Sequence, residues 1–370
     1  MSRTMNHTAP FHVVRDPKVV RDVLHRPDDF SPANALVAVT PLSGRSLRVL
    51  QKAAFALPPI LASNDSPTHP GIRKVVAGFF TPATVQAIEP RIRELARKAA
   101  HAAALELEAT GTVELVNAVA ALPPAQIMLE LLGVSISHDE LLALKAWSVD
   151  SLELFWGWPE PERQLELAHS AAEFYDWLRG LVRRCTQSQE RNLFAALDQH
   201  GLTLPEICSL GYFLLIAGQE TTTQLISTVL YRLAEGNCPV TWQDAAAQGP
   251  ARAAVRHVLA GESSVPTWRR VAARDTHLNG ELIPAGAEIL LELTGNHKTP
   301  DGGTRATDYS LAFGSGVHRC LGAKLAELEA AVVIQEAAAA IQQARLAGEV
   351  PEWLRLLSFQ APQIVLVTGQ

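Results

Sequence analysis

The stretch from Pro205 to about Glu235 restricts the fold more than any other part of the sequence. Leu210, Phe213, Leu214, Ala217, Thr221, Leu225 and Thr228 recur at the i, i+3/i+4 spacing of one helix face, which predicts a long helix with a buried stripe. Its interior keeps Gly211 and Gly218, each costing about 1 kcal/mol relative to alanine. A helix that retains such residues needs something to approach it closely. Such a helix also needs a large protein around it. The chain has 370 residues, 48% of them hydrophobic, enough for a substantial core or a ligand cavity.

Helical periodicity dominates elsewhere too. The spacing predicts helices over 83–107, 137–155 and 161–184, with Pro90 as a break or early-turn residue in the first. The Trp-Gly-Trp-Pro-Glu-Pro segment between the last two reads as a turn. Strand-like runs are confined mostly to the last third, at 267–278, 281–293 and 356–367. Many helices with a few late strands make a mainly α, α-rich α+β protein rather than an alternating α/β one. No repeat, low-complexity tract or linker interrupts the chain, so residues 1–370 are expected to form a single domain.

The charge balance excludes some functions. With 32 basic and 38 acidic residues the net charge is −6, which argues against a nucleic-acid-binding surface as the main role. There is no run of 18 apolar residues, and the N-terminal sequence lacks the apolar stretch of a signal peptide, so no membrane partner is expected. Cysteines 185, 208, 238 and 320 show no C-x-x-C spacing and read as reduced thiols of a cytoplasmic protein.

The most informative motif is Leu311-Ala-Phe-Gly-Ser-Gly-Val-His-Arg-Cys320-Leu-Gly-Ala-Lys-Leu-Ala. Glycines permit tight turning, one cysteine follows, and Gly322 opens an amphipathic helix carrying Leu325, Leu328 and Val332. A cysteine at a helix start sits where backbone N–H groups and the helix dipole favour thiolate. These are conditions under which one thiolate could bind a large planar metal cofactor from one side. A zinc site would need three or four ligands, and His318-x-Cys320 has no partner pair at suitable spacing. A dinucleotide fingerprint fails because the third glycine and a clear preceding strand are missing. From the residues alone a catalytic or a structural cysteine remains open.

The stretch resembles the haem-binding loop of the cytochrome P-450 superfamily, F-x-x-G-x-H/R-x-C-x-G, satisfied by Phe313, Gly316, His318, Cys320 and Gly322. The resemblance implies a cytochrome P-450 fold with haem b, Cys320 as axial thiolate, Phe313 shielding the sulfur and His318 near a propionate. A thiolate ligand favours O–O cleavage. Ala217-Gly218-Gln219-Glu220-Thr221-Thr222 is similar to the family's oxygen-activation motif. It implies room for O2 at Gly218 and a proton relay through Glu220 and Thr221, whose hydroxyl can open the helical ladder and produce a bulge. Asp65-Ser-Pro-Thr-His69-Pro-Gly-Ile-Arg73 resembles a further segment and implies propionate contacts from His69 and Arg73, provided the helix begins near Pro70. Arg270 matches another propionate contact, with Arg269 one residue away. The family's lid-like helices would correspond to the Phe155-Trp156-Gly157-Trp158 segment and 161–184, with Leu214, Gln219 and Val265 facing the pocket.

The sequence departs from the family pattern in three places. The frame Ala254-Val-Arg-His-Val-Leu-Ala260 puts His257 and Ala260 where the E-x-x-R motif expects its glutamate and arginine. The segment 296–310, the counterpart of the meander, is short and lacks the F-x-P-x-R content that would complete this lock, and the N-terminus looks trimmed of its first helix. Losing every member of a buried ion network is more tolerable than losing one. The resemblance implies a monooxygenase that uses O2 to hydroxylate or oxidatively couple a small-molecule substrate, a secondary metabolite by analogy. Electrons would come from a ferredoxin or flavodoxin docking near Arg319 and Lys324. A redox-inactive accessory protein for a biosynthetic partner, and a haem-dependent dehydratase or isomerase, are the alternatives.

Overall fold

The computed structural model describes residues 11–298 and 304–369, so the segment 296–310 is described only in part. Eleven α-helices occur among these residues: α1 Pro17–His25, α2 Gly44–Lys52, α3 His69–Ala77, α4 Pro82–Thr110, α5 Leu122–Leu132, α6 His138–Trp156, α7 Pro161–Gln187, α8 Leu193–Gln199, α9 Leu204–Glu235, α10 Gln248–Glu262 and α11 Ala323–Ala340. The long helix expected from Pro205 is α9. Its start is fixed by Glu206, whose carboxylate accepts the Thr203 N–H at 2.7 Å, and its end by Gly236 at φ 77°. Both interior glycines mark close approaches. A Cβ on Gly211 would lie 2.9 Å from the Phe194 ring of α8, and one on Gly218 would collide with Met128 of α5.

Pro90 does not break its helix: α4 runs from 82 to 110 through it. Pro90 and Gln86, whose carbonyl loses its donor, are both exposed, so water can take the place of the missing N–H. The expected strand runs are subdivided. Four strands, β1 His12–Val14, β2 Phe30–Ser31, β3 Thr267–Ala272 and β4 Glu288–Glu292, form a sheet in the order β1-β4-β3-β2, antiparallel except for β1 on β4. The rest of the 267–293 region makes a hairpin of 276–278 with 281–283. The C-terminal run also divides: 360–362 pairs with 353–355, while 366–368 joins 112–114 and 345–346.

Two apolar clusters hold these layers. The larger one surrounds α9, with Leu215, Leu225, Ile226, Val229 and Leu230 in it. The smaller packs Val20, Val23 and Leu24 of α1 against Phe30, Ile289, Leu291 and Leu311. Thus α1 is fixed to the sheet on one side and reaches the segment before Cys320 on the other. No helix among the described residues is long and apolar enough to cross a membrane.

One α11 residue violates the pattern of its helix. Glu329 is 1% exposed, its Oε1 has no hydrogen-bond partner among the described residues, and burial pushes its pKa up to about 8. The folded protein therefore holds a proton there that an unfolded chain releases near pH 4.5. That contribution to stability is fully present below pH 4.5 and is lost as pH rises towards 8. Glu329→Gln is expected to flatten this fall, gaining on the order of 2 kcal/mol over the parent at pH 8 relative to pH 5. Denaturant unfolding at the two pH values measures it; equal slopes in both proteins would contradict the assignment.

Candidate functional site

The Cys320 loop is built around one backbone closure. A 3-10 turn over Tyr309–Phe313 ends at Gly314, φ 69°, and the Phe313 carbonyl accepts the Cys320 N–H at 2.9 Å. Gly316 has φ 70°, and a Cβ there would strike the Leu24 carbonyl of α1, so no other residue fits without moving that helix. Beyond Cys320, Gly322 caps α11. The backbone N–H groups of Gly322 and Ala323 and the charge of Arg73 favour a thiolate, but desolvation of a sulfur set among neighbouring protein atoms outweighs them and pushes the free thiol's pKa up, although the residue opens onto the cavity. The helix-start position therefore does not by itself ionise the cysteine, as its place in the sequence implied. A thiol of this kind gives up its proton on coordination to a metal cation.

Between this loop and α9 lies a cavity of about 240 Å³. Phe313, Cys320 and Gly322 line one side, and Phe213, Leu214, Ala217, Gly218, Thr221 and Thr222 the other. Arg73, Arg270 and His318 complete the wall. Arg73 donates from Nη2 to the Arg319 carbonyl at 2.5 Å. Arg270 is 3% exposed and donates from Nη1 to its neighbour's carbonyl at 2.8 Å; burial lowers its pKa to about 10. Neither guanidinium has a carboxylate partner among the described residues, although most arginines of this chain do. Arg269 turns the other way, donating to the Val37 carbonyl at 2.6 Å, so Arg270 is the one aimed into the cavity.

His318 hydrogen-bonds through Nε2 to the Asn64 carbonyl at 2.8 Å, and burial brings its pKa down to about 4. His69 differs from expectation. As anticipated, α3 begins at His69 with Pro70 in its first turn, but the His69 ring packs behind that of His318, 4.4 Å between centroids, and is not on the cavity wall. Its buried Nε2 has no partner, and burial followed by the charge of Arg73 lowers its pKa.

On α9, Thr221 Oγ1 donates to the Ala217 carbonyl at 2.6 Å, the back-bond the motif implied, yet the helix stays α-helical throughout without a bulge. The space beside Gly218 is taken by Met128 of α5. Glu220 faces away from the cavity. It is 3% exposed and accepts from Lys145 Nζ of α6 at 2.5 Å; Lys145 also reaches Thr223 Oγ1 at 3.4 Å. Gln219 is likewise off the wall, donating to Ser148 at 3.0 Å, whereas Leu214 and Val265 do line it. Lys145, Met128 and Asn64 belong to no local motif, and sequence reasoning missed all three. The helical phase of α6, which sets Lys145 on a face with buried Leu141, Leu144 and Ser148, is the one signal that could have drawn attention to Lys145.

The donor set fits a haem. One thiol opens onto an apolar slot, and two buried or half-buried guanidiniums without carboxylates among the described residues ask for anions such as propionates.

Comparison with known proteins points the same way. The chain is 31% identical over 315 residues to the erythromycin C-12 hydroxylase of Saccharopolyspora erythraea, covering 78% of this chain and 74% of that protein. It is 30% identical over 308 residues to the cytochrome P450 monooxygenase PikC of Streptomyces venezuelae, covering 77% and 70%. The solved structure of cytochrome P450 CREJ in complex with (4-ethylphenyl) dihydrogen phosphate superposes with a TM-score of 0.87 at 28% identity, over 99% of this chain and 93% of that one. No protein-family model matches the chain.

The Lys145–Glu220 pair generates a test. Lys145→Met leaves a buried carboxylate uncompensated and is expected to cost about 3 kcal/mol, whereas Lys145→Met with Glu220→Gln removes both charges and recovers most of it. A double-mutant cycle in denaturant measures the coupling; additive losses would mean that the pair is not joined in solution.

Proposed function

The chain belongs to the cytochrome P-450 superfamily and is an oxidoreductase of the monooxygenase type, and from that premise we propose that Cys320 would hold haem b and that the protein hydroxylates or oxidatively couples an uncharged small molecule with O2. The observation that carries this reading is the shared wall: Cys320 and the carboxylate-free Arg73 and Arg270 line the same cavity as Thr221. Bound there, haem supplies the two-electron reductive activation of O2, with a thiolate ligand favouring O–O cleavage. Residues 1–370 act as a single haem-binding unit in the cytoplasm.

Cys320 would hold the haem iron through its sulfur, and the Phe313 carbonyl fixes its backbone. Arg73 and Arg270 would bind the propionate carboxylates, with His318 beside them and His69 packed against its ring. Gly322 leaves the sulfur accessible from the α11 side, since nothing but Cys320 Sγ, at 3.9 Å, would meet a Cβ there. Thr221 holds a hydroxyl on the α9 wall, and Glu220, one residue along, can pass on to it a proton taken from Lys145 or from water once the contact with Lys145 opens.

The ionisable groups on the cavity wall, Arg73, Arg270, His318, Arg319 and Cys320, all lie at the cofactor end. What remains for a substrate is mostly apolar, with Phe213, Leu214, Val265 and Phe359, and carries the hydroxyls of Thr221, Thr222, Ser263 and Ser264. That surface supports an uncharged small molecule, and the names of the relatives add that it is a secondary metabolite. Electrons come from a separate ferredoxin or flavodoxin docking over Arg319 and Lys324.

The haem-loaded protein with a ferredoxin–reductase pair should consume reductant with O2 when offered uncharged aromatic or macrolactone probes. Cys320→Ala should abolish this. Thr221→Ala should keep consumption but cut product per reductant at least about tenfold, releasing peroxide. Consumption undiminished in Cys320→Ala would overturn the reading, and unchanged coupling in Thr221→Ala would remove Thr221 from the relay.

A further inference from the structure

The two positions that should carry the glutamate and arginine of E-x-x-R are an exposed His257 and Ala260. One residue upstream, Arg256 of α10 does something neither can. Its Nε and Nη2 both lie 2.6 Å from Glu327 Oε1, and its Cζ lies 4.9 Å from the centre of the Tyr309 ring. Tyr309 opens the 3-10 turn that ends at Phe313, the acceptor of the Cys320 amide. Glu327 stands in the first turns of α11, the helix that begins just after Cys320. One guanidinium thus touches the segment entering the Cys320 loop and the helix leaving it.

The same corner of α10 is tied by backbone. The Ala260 carbonyl accepts the Gly295 N–H at 3.0 Å, and the Gly295 carbonyl accepts the Thr307 N–H at 2.9 Å. The opposite side of the loop rests on α1, where His25 Nε2 and Ser315 Oγ are 2.7 Å apart and Arg21 reaches Asp308 at 3.2 Å. Arg256 therefore supplies the side-chain contacts that bind the α10 side of the loop to both its ends.

We propose that Arg256, through Glu327 and Tyr309, is a positioning residue for Cys320 and does the work expected of the missing glutamate–arginine lock. A half-exposed ion pair and a cation–π contact are each modest in strength. The clamp therefore sets how often the loop opens and leaves the fold as a whole intact.

Amide hydrogen exchange at Cys320 reads the opening directly, because its N–H is held by the Phe313 carbonyl. In the haem-loaded protein Arg256→Met should speed exchange at Cys320 and Gly314 about five-fold, with mid-α9 amides unchanged. Glu327→Gln and Tyr309→Leu, each removing one contact, should give part of that effect and decide the matter if Arg256→Met fails to fold. Arg232→Met is the control. It breaks a comparable pair, Arg232 Nε to Glu262 at 2.7 Å with the guanidinium over Trp353, that does not touch the loop. The proposal is overturned if Cys320 exchange is unchanged in the Arg256, Glu327 and Tyr309 variants. It is equally overturned if Cys320 exchange rises only in step with mid-α9 amides, as for Arg232→Met. The measurement repeated on haem-free protein separates loss of positioning from loss of cofactor.

Discussion

The hydrogen bond from the Cys320 amide to the Phe313 carbonyl, 2.9 Å long, registers the rest of the site. It closes a loop in which two glycines take positive φ, one of them pressed onto the backbone of α1. With the loop closed, the sulfur faces the slot beneath α9 and α11 starts immediately behind it. Each neighbour is in turn placed by a long element: α9 by Glu206 and Gly236 at its ends, α1 by its burial against the sheet. A short loop can hold a metal ligand accurately because rigid elements surround it on every side.

The charges divide into two kinds. Glu220 and Lys145 are buried together and satisfy each other away from the cavity. Arg73 and Arg270 sit on the cavity wall bonded, among the described residues, to backbone carbonyls and to no carboxylate. A buried cation without an anion is costly unless a ligand brings one, so the second kind marks where an anionic cofactor edge belongs. The apolar remainder of the wall marks where a substrate belongs.

Much of this was legible in the sequence because it is local. The loop motif keeps Phe313, Gly316, His318, Cys320 and Gly322 within ten residues, and helical periodicity located α4, α6, α7 and α9 to within a few residues at either end. What was not legible depends on contacts between distant segments. Lys145 lies 75 residues from Glu220, and no local pattern pairs them. Gly218 reads as space for O2 but makes room for Met128 of another helix. His69 shares a helix face with Arg73, yet the ring of His318 stands between it and the cavity. Pro90 reads as a break because its solvent exposure, which makes it tolerable, is a tertiary property. Arg256 belongs to no motif and is recognised by what it touches on either side of the cysteine.

The central claim is that Cys320 binds haem iron through sulfur, and the absorption spectrum of the reduced, CO-bound protein tests it most directly. The parent should show the red-shifted Soret band of a thiolate-ligated haem, and Cys320→His should keep haem while losing that band. A parent that binds no haem, or a Cys320→His variant whose spectrum is unchanged, would contradict the account.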